Sequence, residues 1–244
     1  MHSHPGHYYR AMLIKPADEK SSRLRLLQTL QQREGLDARQ RNWLCVERWR
    51  AEPTTNFLSA FEASENHAVL HDLRLEAGGE VAEIDHLLID RTMSFFLIDT
   101  HAFHADLQIS PYGEFWAEYA GARRFVIDSP IDRGRRNAAM LGQVLARLGL
   151  RGRAKTLPMC VPLALVRPPA KITRPDPEAF ESRSLMRADQ FAGWYERRSA
   201  RLDPRTLLHL LINDHSPIDV RCWGEKIVSE HRPAEPLAMP EFIE

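Results

Sequence analysis

The sequence has few cysteines, few lysines and no long apolar run. The small number of cysteines argues against a disulfide-rich or zinc-binding protein, and the lack of a long apolar run argues against a membrane-spanning one. Its three cysteines are odd in number and far apart, so neither a disulfide framework nor a C-x-x-C zinc site is predicted. The richest apolar segments, residues 94–98 and 160–166, are much shorter than the roughly 18 to 20 residues of a membrane-spanning helix. The four-residue apolar patch within residues 1–15 is too short for the core of a signal peptide. We therefore expect no membrane span and a cytoplasmic location.

The charges balance overall but are unevenly distributed. Lysine plus arginine equals aspartate plus glutamate at 33 each, so no net field predicts nucleic acid or an acidic membrane as a partner. Residues 56–118 carry twelve acidic residues against two arginines, whereas residues 121–155 carry nine basic residues against two aspartates. Only five of the 33 basic residues are lysine. Arginine suits phosphates and carboxylates, although the same excess is typical of a GC-rich genome.

Apolar periodicity predicts an α/β chain in which helices flank a group of strands. Helices are expected at residues 20–33, 37–50, 130–148 and through much of 188–232, and strands at 67–76, 81–89, 95–103 and 160–166. Gly78 and Gly79 predict a hairpin turn. Ser129 followed by Pro130 predicts a capped helix start.

Three acidic side chains lie where strands should be buried. Glu83 and Asp85 belong to one predicted strand and Asp99 to the next. Burying a carboxylate without a partner is costly, but a divalent cation such as Mg²⁺ prefers carboxylate oxygens and would draw two of them together. Asp85 and Asp99 are the candidate metal ligands, and His101, two residues further on the same strand face, could coordinate the ion, orient a water or act as a base. The alternative is a salt-bridge network between these acids and arginines.

Several short motifs agree in order and spacing with those of one known family. They are His-Asp-Leu-Arg at residues 71–74, Ala-Glu-Ile-Asp-His at 82–86, Gly-Glu-Phe at 113–115 and Ser-Pro at 129–130. Over roughly residues 52–150 the chain resembles the nuclease-related domain (NERD) family, a branch of the PD-(D/E)xK nuclease-like superfamily. The resemblance implies a restriction-endonuclease-like mixed central sheet flanked by helices, here with N- and C-terminal helical extensions.

The resemblance also implies a catalytic metal site for Mg²⁺ or Mn²⁺. The family's first acid falls on Asp85, and its Glu-x-Lys falls on Asp99 and His101, so that a histidine stands where the family has a lysine. An upstream acid that opens a helix in the family aligns with Glu52. Lysine can stabilise charge on the attacked phosphate, which a neutral histidine does less well.

The basic segment after Ser129 and Pro130 predicts a phosphate-binding surface. Arg133, Arg135 and Arg136 lie at the start of the predicted helix, and a helix N-terminus flanked by arginines suits phosphate oxygens. The alternative is an ordinary solvated charged face.

Two functions follow, and the sequence leaves both open. The first is a diverged metal-dependent phosphodiesterase that cleaves or processes DNA; the second is an inactive module with the same fold that binds nucleic acid or protein. The expected organisation is a tail and helical arm at 1–51, a nuclease-like core at 52–167, and a proline-rich connector with a helical region at 168–244. Nucleic acid, expected to be DNA, is the predicted partner, with a protein as a further candidate for the C-terminal helices and no membrane.

Overall fold

The computed structural model describes residues 12–37, 40, 41, 44, 47, 48, 57–101, 105–119, 123–198 and 204–235. Among these residues the strands are β1 (Leu13–Lys15), β2 (His67–Ala77), β3 (Glu80–Asp90), β4 (Ser94–His101), β5 (Asp106–Ile109), β6 (Phe115–Tyr119), β7 (Arg123–Ile127), β8 (Met159–Val166), β9 (Ile172–Thr173) and β10 (Leu185–Arg187). The helices are α1 (Ser21–Gln31), α2 (Ser59–Glu62), α3 (Pro130–Arg147), α4 (Phe191–Arg198), α5 (Pro204–Ile212) and α6 (Pro217–Ser229). Short 3₁₀ turns occupy Arg153–Lys155 and Ala188–Gln190.

A six-stranded mixed sheet forms the centre of the fold, in the order β1-β2-β3-β4-β8-β10. Strands β2, β3 and β4 are antiparallel neighbours, and β1, β8 and β10 join them in parallel pairings. The predicted hairpin between β2 and β3 turns at Gly78 and Gly79, both with positive φ. The mixed α/β class with flanking helices is therefore confirmed.

A second, smaller sheet was not predicted. Its order is β7-β6-β5-β9, with antiparallel pairs except for β5 and β9. Leu107, Phe115 and Ala117 on its inner face pack against Ile131 of α3 and Val166 of β8. The small sheet therefore lies against the end of the large sheet, and β7 leads directly into α3.

Part-way along β2 and β3, the apolar residues switch from one face of the strand to the other. In β2, Leu70 shares a core with Leu73, although strict alternation places these two residues on opposite faces. The change occurs at Asp72, which has a left-handed backbone with φ of +49°. In β3, Ile84 and Leu87 likewise share that core on either side of Asp85. The apolar face of both strands therefore changes at Asp72 and Asp85, while the register of the β2–β3 pairing is the same on either side of them.

Helices cover both faces of the large sheet. α3 and α6 pack on one face, where Val144, Leu145 and Trp223 are buried with the residues of β2 and β3. α2 and α4 pack on the other face, where Phe61 and Phe191 are buried against β4 and β8. None of the described helices is long and apolar enough to cross a membrane. The division of the chain at residues 51 and 167 stays a prediction.

Candidate metal centre

Asp85 is held in place by the strand next to its own. Its Oδ2 accepts hydrogen bonds from the backbone N–H of Thr100 at 2.7 Å and from the Thr100 hydroxyl at 2.9 Å. Burial pushes the pKa of Asp85 upward. The neighbouring His86, the two hydrogen bonds and an arginine of α3 outweigh burial and hold the pKa below its usual value. The carboxylate is therefore oriented and ionised at neutral pH.

Asp99 lies beside Asp85 but has poor partners. The pairing of β3 with β4 places His86 opposite Ile98, so Asp85 and Asp99 are the next residues along the two strands. Asp99 is only 1% exposed, and its Oδ1 makes no hydrogen bond to any residue that the structure describes. Burial and the negative charge of Asp85 raise the pKa of the Asp99 carboxyl far above its usual value. Two carboxylates thus adjoin, and one of them lacks a strong partner.

The first turns of α3 close one side of this pair. Ser129 caps the helix, since its hydroxyl accepts the N–H of Asp132 at 3.1 Å, and Pro130 occupies the first turn as predicted. This helix start aims Arg133 at Asp99, with Nε 3.8 Å from Oδ2. One turn later, Asn137 donates to the Glu83 carbonyl at 2.8 Å and weakly to Asp99 at 3.4 Å. α3 therefore supplies one cation and one amide to the site.

The other predicted site residues do not all lie near the two carboxylates. His101 ends β4 two residues after Asp99 and is half-buried. Glu52 lies outside the described residues. Arg135 is exposed and pairs with Asp132 at 2.9 Å, and Arg136 is exposed on the same helix. Of the three arginines grouped by sequence, Arg133 is thus the one that reaches the carboxylates.

Neither Thr100 nor Asn137 was predicted as a residue of the site. Asn137 follows Arg133 by four residues, a spacing that places two side chains on the same face of a helix, so the signal for it was present. Thr100 gave no comparable signal, because its role depends on its backbone N–H at the end of the β3–β4 pairing. Both residues orient the carboxylates.

The residues of the site fit a hard divalent cation. Two carboxylates converge, and the buried Oδ1 of Asp99 needs a positive partner, which is what Mg²⁺ or Mn²⁺ supplies when it takes oxygen ligands. Among the described residues no cluster of three or more His, Cys, Asp or Glu is placed to hold a metal. An ion bound here would rest on the two aspartates, with water or substrate oxygens completing its shell.

The buried histidines behind Asp85 belong to the opposite face of the sheet. His86 Nδ1 lies 2.7 Å from His71 Nδ1, and His71 Nε2 lies 3.0 Å from a Glu62 oxygen. Burial lowers the pKa of His86 to about 4, so its ring is neutral at pH 7. The chain of hydrogen bonds ties α2 to the strand that carries Asp85.

Comparison with models of known protein families relates the central part of the chain to a described family. The family described as nuclease-related domain matches residues 48–162, a range that includes Asp85, Asp99 and the first turns of α3. No curated protein and no solved structure matches the chain.

Proposed function

Because residues 48–162 belong to the nuclease-related domain family, we propose that this chain is a divalent-metal-dependent phosphodiesterase that hydrolyses nucleic acid, with DNA as its expected substrate. The proposal names Asp85 and Asp99 as the residues that hold Mg²⁺ or Mn²⁺. Arg133 is the residue that contacts the phosphate, and His101 is the residue that positions water. Glu52 is retained as a further acid of the site.

The observation that carries the proposal is the state of Asp99. In a satisfied salt-bridge network each buried carboxylate oxygen has a close donor. Asp99 has one oxygen without a partner among the described residues, and the Arg133 nitrogen is too far from the other oxygen for a hydrogen bond. A buried carboxylate left in this condition costs stability, and sites that store such a cost are typically functional. The salt-bridge alternative therefore fits less well.

The chain's own side chains would divide the work of phosphate ester hydrolysis. A bound divalent cation supplies Lewis-acid stabilisation of the charge that develops on a phosphoryl oxygen. Thr100 fixes the orientation of Asp85, and Asn137 restrains Asp99 from the helix side. Water attacks phosphorus and the P–O ester bond breaks, which yields a phosphomonoester and a free hydroxyl. His101 accepts a hydrogen bond from that water and orients it.

Arg133 replaces the lysine that the family carries at the position of His101. A histidine ring carries a positive charge less readily than a lysine ammonium, so His101 would supply less positive charge to the transition state than the family's lysine. The guanidinium of Arg133 is positively charged and opposes the upward shift that burial gives the pKa values of both aspartates. We propose that Arg133 on α3 supplies the positive side-chain charge next to the phosphate, in place of the lysine that the family carries at the position of His101 on β4.

The test combines metal binding with cleavage. Mn²⁺ at a hundredfold excess over its dissociation constant should stabilise the wild type by about 2.7 kcal/mol, and Asp85→Asn or Asp99→Asn should abolish this gain. Supercoiled DNA should be nicked by the wild type with Mg²⁺ or Mn²⁺. Arg133→Gln should lower the rate by at least about tenfold, as expected for the loss of an electrostatic contact to the transition state.

Arg135→Gln is the matched control, because Arg135 lies on the same helix but pairs with the surface residue Asp132. It should keep most of the activity. Cleavage that survives both aspartate variants would point to a contaminating nuclease. A wild type that neither binds Mn²⁺ nor cuts would overturn the proposal.

The second candidate function is an inactive module that binds nucleic acid, and His101 in place of the lysine favours it. His101→Lys separates the two functions. If the wild type binds Mn²⁺ without cutting DNA and the His101→Lys variant cuts it, the metal site is intact and the histidine at position 101 is what abolishes catalysis.

A further inference from the structure

Strand β7 leaves one edge of the small sheet open. It is the terminal strand in the order β7-β6-β5-β9, and no strand among the described residues pairs with its outer side. An open edge presents unpaired backbone N–H and C=O groups, and proteins normally blunt such edges with charge, proline or a covering loop. β7, with the sequence Arg-Arg-Phe-Val-Ile, contains no proline and ends on apolar residues.

The apolar side chains of β7 are exposed to solvent. Phe125 is 54% exposed and Val126 is 74% exposed, although both belong to residue types that are normally buried. In the pairing with β6, Val126 lies opposite Trp116 on the outer face of the sheet. A row of exposed apolar groups on an open edge is typical of a strand that pairs with another chain.

The charges next to the strand are self-complementary. In a two-fold antiparallel pairing centred on Val126, Val126 lies opposite the same residue of the second copy. Arg124 then lies opposite Asp128, twice. Arg124 and Val126 lie on the outer face, and Asp128 directly follows β7, where continued alternation would place it on the same face. A pairing centred on Phe125 would instead place Arg124 opposite Val126 and bring no opposite charges together. Charge therefore selects the first register.

Arg124 is already held in a favourable position. Its guanidinium lies 4.4 Å from the centre of the Trp116 ring, which keeps it on the outer face. Neither Arg124 nor Asp128 forms an ion pair with a side chain that the structure describes. Both groups are exposed, and Arg124 also lies opposite Glu118 of β6 on the same face of the sheet.

We propose that the chain forms a homodimer in which β7 pairs antiparallel with β7 of a second copy, joining two small sheets into one of eight strands. Backbone hydrogen bonds between the two edges give affinity, and the two Arg124–Asp128 pairs fix the register. The contact is short, so it belongs with small, weak interfaces, and the dimer forms at micromolar rather than nanomolar concentration. The proposal does not depend on the metal site.

Sedimentation equilibrium of the full chain tests the dimer. The wild type should dissociate reversibly over a range of about 1–200 µM, and Val126→Lys should raise the dissociation constant at least about tenfold, because a charge would meet the same charge across the axis. Leu208→Lys is the matched control, since Leu208 is an exposed leucine on α5, away from β7. It should leave the dissociation constant unchanged.

A charge exchange tests the register. Arg124→Asp and Asp128→Arg should each weaken the dimer, and the double variant should restore it, because opposite charges face each other again. Circular dichroism of each variant checks that it is folded. A wild type that stays monomeric at 200 µM, an effect of Leu208→Lys as large as that of Val126→Lys, or a double variant no better than the single ones would overturn the proposal.

Discussion

Two buried aspartates of the central sheet have opposite surroundings. Asp90 is 4% exposed and accepts hydrogen bonds from several donors. They are the N–H and hydroxyl of Thr92, the N–H of Ser94, the Tyr195 hydroxyl and the Arg198 guanidinium. Asp99 is as deeply buried, but one of its oxygens has no partner among the described residues. The first arrangement stabilises the fold, and the second leaves a charge to be neutralised.

Replacing Asp99 should therefore stabilise the metal-free protein. Burial and Asp85 raise the pKa of Asp99 from 3.8 to about 7. The folded state binds this proton more tightly than the unfolded state. The contribution of protonated Asp99 to the free energy of unfolding is therefore complete below pH 4 and is lost as the pH rises through 7. In chelator at pH 8, Asp99→Asn should raise the free energy of unfolding by up to about 4 kcal/mol, and the gain should shrink as the pH falls and vanish near pH 4. Urea unfolding at several pH values measures it.

Asp90→Asn is the control for this prediction. It weakens the ion pair with Arg198 and several hydrogen bonds, so it should destabilise the protein by about 3 kcal/mol or more. A stabilising effect of Asp90→Asn, or a destabilising effect of Asp99→Asn at pH 8, would contradict the contrast between the two residues.

At the scale of the element, the shift of face in β2 could not be read from the sequence. Residues 67–76 alternate well enough to predict a strand, and a strand is present. The left-handed backbone of Asp72 is stabilised by contacts from far away in sequence. Its carboxylate accepts the N–H of Asp18 at 2.9 Å and pairs with Lys20 at 2.7 Å. Local patterns do not contain such long-range contacts, so the sequence predicts the strand but not the change of face within it.

Because Asp72 has a positive φ, glycine should be a more stable substitution than alanine at this position, the reverse of the usual order within a strand. Asp72→Ala and Asp72→Gly both remove the contacts with the N-terminal segment. Alanine is in addition destabilised by about 1 kcal/mol in a left-handed backbone conformation that glycine adopts freely. Asp72→Gly should therefore be more stable than Asp72→Ala, by roughly 1 kcal/mol in thermal or urea unfolding.

Arg74, two residues further in the same strand, gives the comparison. It lies in the regular part of the β2–β3 pairing opposite Glu83 and is not among the residues with positive φ. There glycine should be the less stable substitution, as is usual within a strand. The same order of alanine and glycine at both positions would show that the backbone of Asp72 is not strained.

The main helices and central strands were predictable, because their signals are local. The capping serine and proline of α3, the glycine hairpin and the apolar run of β8 each lie within a few residues. The small sheet was missed because its strands have two to five residues, too few to show periodicity. The pairing of Asp85 with Asp99 was foreseen from strand order, whereas the contribution of Thr100 depends on tertiary geometry.

At the scale of the whole molecule, the C-terminal helix α6 shares the core of the central sheet. Val220, Trp223 and Ile227 are buried together with residues of β2, β3 and α3. The Trp223 ring lies 6.2 Å from the Phe95 ring and 4.8 Å from the His215 ring. α6 therefore contributes to the same packing that supports the strands of the candidate site.

Removing this tryptophan should destabilise the entire chain. Trp223→Ala should lower the free energy of unfolding by about 3 to 5 kcal/mol, because it leaves a cavity in the shared core. Leu208→Ala, at an exposed position of α5, should change it by less than about 0.5 kcal/mol. Urea unfolding followed by circular dichroism compares the two without relying on tryptophan fluorescence. A single cooperative transition that shifts with Trp223→Ala means that residues 168–244 fold with the core. A separate early transition for the C-terminal helices would instead support the boundary proposed at residue 167.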